Sequence, residues 1–127
     1  MFGFQRLDVY QAAIASLVSS SHLIDQVPRG QGDLIDQLRR AALSVPLNIA
    51  EGSGRINRDA AQFYLVARGS ALECAAILDA LEALRIVKPV ELERPRELLH
   101  RVVSMLSGLV RVRGASGRPT NRDRTRP

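Results

Sequence analysis

An all-α fold, an antiparallel up-and-down four-helix bundle, is what this 127-residue sequence predicts. Three observations carry the prediction. Apolar residues recur at spacings of three and four through successive segments, the period of a helix buried along one face. Gly and Pro clusters cut the chain between those segments. Ala and Leu are plentiful and β-branched runs are absent, which favours helix over strand. A chain of this length buries a single core.

The first helix is expected from about Leu7 to Val27, where Pro28-Arg29-Gly30 breaks it. Leu7, Tyr10, Ile14, Leu17, Ser21 and Ile24 form its inward stripe. The second begins after Gly32, with Asp33 as cap or first-turn acid, and ends near Glu51 at Gly52-Ser53-Gly54. Leu34, Leu38, Ala41, Val45 and Ile49 point inward, and Pro46 should kink the helix by removing a backbone hydrogen bond. Asn57 is expected to cap a third helix reaching about Val87, with Phe63, Ala67, Ser70, Cys74, Ile77, Leu81 and Leu84 inside. A fourth covers roughly Glu91 to Val112, with Leu92, Leu99, Val102, Leu106 and Leu109 inside and Pro95 near its first turn. Residues 1–113 thus form the bundle. Residues 114–127 have no apolar periodicity and are expected to be a disordered Arg-rich tail.

Helices two and three are apolar on a second face. Leu43 and Leu47 on one, and Leu65, Gly69, Leu72 and Ala76 on the other, point away from the inner stripes. Scattered exposed apolar residues are normal, but a contiguous set on adjacent helices marks an interface. Self-association is therefore expected.

Little catalytic chemistry is visible. His22 and His100 lack metal-ligand spacing and read as surface residues, so no metal or other cofactor is expected. Glu51, Glu73 and Glu82 are not paired as a dyad. Cys74 falls on an inner stripe beside Glu73 and reads as a buried structural thiol. Gly52-Ser53-Gly54 follows a helix and lacks the ending of a phosphate loop. An enzyme is not expected. With a lone cysteine, no apolar run of membrane-spanning length and no leader pattern, cytoplasm is the expected location and no membrane partner is expected.

The net charge of +5 points to an anionic partner, RNA or DNA, although the last 14 residues supply +3 of it. In the bundle, Arg39 and Arg40 lie on helix two, Arg55 and Arg58 flank the turn, and Arg68 lies on helix three. Antiparallel packing would gather the last three toward one end, where phosphate could bind. The competing reading pairs Asp36 with Arg40, and Glu51 and Asp59 with Arg55 and Arg58. Apart from Phe63 and Tyr64, between Arg58 and Arg68, no aromatic interleaves these arginines along the chain, so base stacking is not supported.

The block from Leu38 to Arg55, LRRAALSVPLNIAEGSGR, resembles the signature of the four-helix bundle proteins encoded in intervening sequences of bacterial 23S ribosomal RNA genes. Leu7 to Ala13, Phe63 to Glu73 and Met105 to Leu109 are similar to the family's other helix motifs, in order. The signature positions are Arg39, Arg40, Asn48, Glu51, Gly52, Arg55, Gly69, Ser70 and Glu73. The resemblance implies a ring-like homo-oligomer, typically a pentamer. More distantly, the chain is similar to accessory proteins of diversity-generating retroelements, which form basic barrels that bind nucleic acid. The leading expectation is a non-enzymatic homo-oligomer that binds nucleic acid, RNA above all, through arginines. The alternative is an assembly or scaffold protein with protein partners and no nucleic-acid role.

Overall fold

The computed structural model describes residues 1–116, and residues 117–127, which hold most of the expected Arg-rich tail, lie outside the described part. A 3-10 turn, η1 (Gly3–Arg6), precedes four α-helices: α1 (Asp8–Asp25), α2 (Gly32–Ser53), α3 (Asn57–Ala83) and α4 (Pro89–Ser116). No strand occurs among the described residues. Each helix packs on its two sequence neighbours, and α4 returns to α1, so α1–α3 and α2–α4 are diagonals. Cross-helix contacts set the directions. Gln37 meets Glu73, Ser44 meets Ser70 and Gly52 abuts Tyr64, so α2 and α3 are antiparallel. Arg96 reaches Asp79 and Glu82, and Arg68 reaches Ser107, so α3 and α4 are antiparallel too. The result is the up-and-down bundle that short connections favour.

The core confirms the inner stripe of α2 at Leu38, Ala41, Val45 and Ile49, and that of α4 at Leu92, Leu99, Val102 and Leu106. Leu34 and Leu109 pack against it from the edge. On α1 the expectation is displaced: Val9, Ala12, Ala13, Ser16, Ser20 and Leu23 are buried with Ile24, whereas Leu7, Tyr10 and Leu17 flank the core. On α3, Ala67, Cys74, Ile77 and Leu81 are buried as expected, but Phe63 and Ser70 are half-buried and Leu84 is exposed. Tyr64, one residue on from Phe63, is the aromatic that enters the core.

The boundaries differ for identifiable reasons. Asn57 is not the cap of α3; Ile56 occupies that position without a side-chain cap bond, and Asn57 takes a left-handed φ of 50°. The helix ends at Ala83 rather than near Val87. Arg85 turns left-handed at φ 58°, its N–H bonds the Glu82 carbonyl, and the Ile86 N–H bonds the Leu81 carbonyl, each at 2.9 Å. That paired pattern closes a helix C-terminus and is usually built on Gly. At the other side of the turn, Pro89 opens α4, so Pro95 sits in its second turn, buried. The helix then continues through Gly114, so the boundary expected after residue 113 falls inside α4. Helix α2 stays continuous through the buried Pro46.

Candidate nucleic-acid interface

The arginines do not converge as expected. Arg39 and Arg40 lie in the N-terminal half of α2, away from the α2–α3 turn. The Asp36–Arg40 pair is not formed; Arg40 donates instead to Gln37 Oε1 at 3.3 Å, and Gln37 Nε2 donates to Glu73 Oε1 at 2.7 Å. Arg55 pairs with Glu51 at 2.8 Å, as expected, and its guanidinium lies over the Phe63 ring at 5.2 Å from the centroid. Asp59 pairs with neither Arg55 nor Arg58 among the described residues. Arg68 sits ~15 Å up the helix from Arg58, half-buried, donating its Nε–H to Ser107 Oγ at 2.9 Å.

Arg58 keeps its position at the end of the bundle and gains a partner that distant sequence hides. The first turns of α3 and the last turns of α4 enclose an open hollow of about 700 Å³ lined by Arg58, Gln62, Leu65, Val110 and Arg111. Neither Arg58 nor Arg111 makes an ion pair among the described residues. At the same end of the bundle, η1, the end of α2 and α4 surround a second hollow of about 480 Å³, lined by Phe2, Phe4, Ser53, Tyr64 and Arg113. Arg6, Arg58, Arg111 and Arg113 stand at this end with no ion pair among the described residues. Opposing them are the exposed acids Asp8 and Asp59, Glu51 being engaged by Arg55.

Aromatics also collect here, contrary to their separation along the chain. Phe2 stacks on Phe4 at 5.9 Å with an interplanar angle of 7°, and Phe4 meets Tyr10 edge-on at 5.0 Å. The sequence reading misses these residues because they lie some 50 positions before Arg58, and Arg111 lies as far after it. Only the antiparallel bundle joins them.

Several signature residues have structural work. Asn48 Nδ2 donates to the Ser44 carbonyl at 2.8 Å and to Ser44 Oγ at 3.0 Å, and that hydroxyl shares a 2.8 Å bond with Ser70 Oγ. A half-buried polar cluster therefore ties α2 to α3. Gly52 is buried against the Tyr64 ring, where any side chain would collide. Cys74 is buried, and its thiol is pushed up to about 12, first by burial and then by the charge of Glu73. His22 and His100 are both exposed. Among the described residues, no cluster of His, Cys, Asp and Glu is placed to hold a metal ion.

The outward apolar residues are exposed: Leu43 by 47%, Leu47 by 58%, Leu65 by 43% and Leu72 by 44%, with Gly69 and Ala76 also open. They do not form one stripe. Leu43 edges a groove shared with Leu17, Val18 and Ile24 of α1, while Leu65 edges the arginine-lined hollow beside Val110 of α4. No helix among the described residues is long and apolar enough to cross a membrane.

No curated protein matches the chain. The family model described as 23S rRNA-intervening sequence protein matches residues 5–108, which takes in α1, α2, α3 and α4 as far as Gly108, with the Asn48–Ser70 cluster and the Gly52 contact. The chain belongs to the 23S rRNA-intervening sequence protein family.

Proposed function

We propose that this protein is a non-enzymatic helical bundle that assembles with copies of itself in the cytoplasm and binds RNA phosphates at its arginine-rich end. The observation that carries this reading is the hollow between α3 and α4, where Arg58 and Arg111 face the same space without carboxylate partners among the described residues. Guanidinium groups left unneutralised at one site attract phosphate strongly. Membership of the 23S rRNA-intervening sequence protein family is consistent with an RNA-related role.

Self-assembly is supported by the placement of the exposed leucines on two different flanks. Leu43 is exposed toward α1 and Leu65 toward α4, so a contact that covers both leucines joins one flank to the opposite flank of the next copy, head to tail. Repeated around an axis, such a contact closes into a ring. Five copies is the number the family resemblance implies. The alternative reading, a scaffold acting only through protein contacts, draws on the same leucines and assigns the arginines no ligand.

Binding of RNA and of duplex DNA, measured across salt concentration for the full chain and for a chain ending at Ser116, separates the two. The bundle reading requires a steep salt dependence that survives the truncation. Binding that vanishes with residues 117–127, or is absent even at about 50 mM salt, leaves the scaffold reading.

A further inference from the structure

We infer that the hollow at the arginine-rich end takes an unpaired nucleotide, its base stacked on Phe2 and its phosphate held by Arg113, so that the protein prefers single-stranded RNA to duplex. The inference rests on the RNA reading above and specifies the form of RNA.

Phe2 is 74% exposed, an unusual position for a large apolar ring. Its exposure is not the fraying of a loose end. The ring stacks nearly parallel on Phe4, and Phe4 is braced edge-on by Tyr10 of α1. The backbone is pinned as well: the Phe2 N–H donates to Gln5 Oε1 at 2.7 Å, and the Gln5 N–H bonds the Phe2 carbonyl at 3.2 Å. A two-ring stack whose outer ring is exposed and held by its backbone is a platform for a third planar group.

The surroundings select which planar group. The hollow that Phe2 and Phe4 line also holds Arg113 and the Ser53 hydroxyl. Arg113 has no ion pair among the described residues, although its charge is felt at Tyr64. An apolar side chain from a protein partner would leave that guanidinium without an anion. A nucleotide supplies both a flat ring and a negative charge a short distance apart, and aromatic platforms beside cations are how single strands are held without reading sequence. Bases locked inside a duplex cannot reach such a platform. Arg58 and Arg111, in the hollow between α3 and α4 at the same end of the bundle, add positive charge for further phosphates.

The experiment compares a labelled 12-nucleotide single-stranded RNA with a duplex of the same length, using the full chain and its Phe2→Ala, Phe2→Trp and Arg113→Gln variants. Removing one stacking ring should weaken single-strand binding by about tenfold and leave duplex binding unchanged. Phe2→Trp should restore the preference, and 2-aminopurine in the single strand should be quenched by the wild type but not by Phe2→Ala. Arg113→Gln should weaken the single strand more than the duplex. Phe2 is outside the core, so circular dichroism should be the same for all. Equal binding of both RNAs, unmoved by Phe2→Ala but weakened by Arg58→Gln and Arg111→Gln, overturns this inference and leaves the RNA reading standing. No binding of either RNA to the wild type removes both. A Phe2→Ala change in oligomeric state without a change in RNA affinity overturns it in favour of a protein contact.

Discussion

The Cβ that Gly52 lacks would lie 2.9 Å from Cε1 of Tyr64 and 3.0 Å from Cβ of Phe63. Tyr64 is buried, so its ring could yield only toward the hollow that it lines. The glycine at the end of α2 is therefore required by packing, and the ring in turn orients the first turns of α3. Gly52→Ala should destabilise the fold by about 1–3 kcal/mol, the usual range for overpacking a closed core. A urea-denaturation midpoint unchanged from wild type would show that the ring can yield.

Gly69 is the opposite case. An added Cβ there meets nothing within 4 Å, and the position is exposed in the middle of α3. In an isolated chain Ala would favour the helix by about 1 kcal/mol. In the proposed assembly it would hold two helices apart. Gly69→Ala should therefore raise the thermal midpoint of a dissociated Leu65→Glu, Leu72→Glu variant while weakening association of the wild type. Native mass spectrometry should give one closed assembly for the wild type and monomer for the double variant, with helical circular dichroism retained in both. A wild type that is monomeric at micromolar concentration contradicts the self-assembly proposal.

The fold should lose stability in alkali. Burial holds the Cys74 thiol at about 12 against an ordinary value of 9.0, and burial likewise raises Tyr64 despite the opposing charge of Arg113. The unfolded chain then releases protons that the folded chain retains. The stabilisation is complete below about pH 9 and is lost as pH rises toward 12. Denaturation midpoints measured from pH 7 to 11 should fall through that window, less steeply in Cys74→Ala. The same burial should protect the thiol from alkylation at pH 8 until the chain unfolds.

Arg85 occupies a left-handed position that its side chain disfavours, and its N–H closes the α3 terminus on Glu82. Arg85→Gly should be neutral to stabilising, by up to about 1 kcal/mol, read as a small rise in thermal midpoint. A clear fall would mean that the guanidinium contributes more than the backbone strain costs.

The legibility of this fold tracks how far each decision reaches along the chain. The stripe Leu38-Ala41-Val45-Ile49 is readable because large apolar side chains alternate with polar ones within one helix. That of α1 is not, because four of its buried positions are Ala12, Ala13, Ser16 and Ser20, whose small size is informative only beside a neighbour. Choosing between Phe63 and Tyr64 for the core depends on the space left at Gly52, on another helix. Arg58 is legible as a candidate in the sequence. Its companions Arg111 and Arg113, and the aromatic stack at Phe2, become companions only once α4 returns to the end where α1 and α3 begin.

The most direct test of RNA binding by the bundle is the salt dependence of affinity for the wild type and for an Arg58→Gln, Arg111→Gln variant, both as full chains. If these arginines hold phosphates, the variant binds more weakly to every RNA and the slope of log affinity against log salt becomes shallower by about 2. An Arg39→Gln, Arg40→Gln variant, altered in the other half of α2, should keep the wild-type slope. A slope unmoved by losing Arg58 and Arg111 would contradict RNA binding at this end of the bundle.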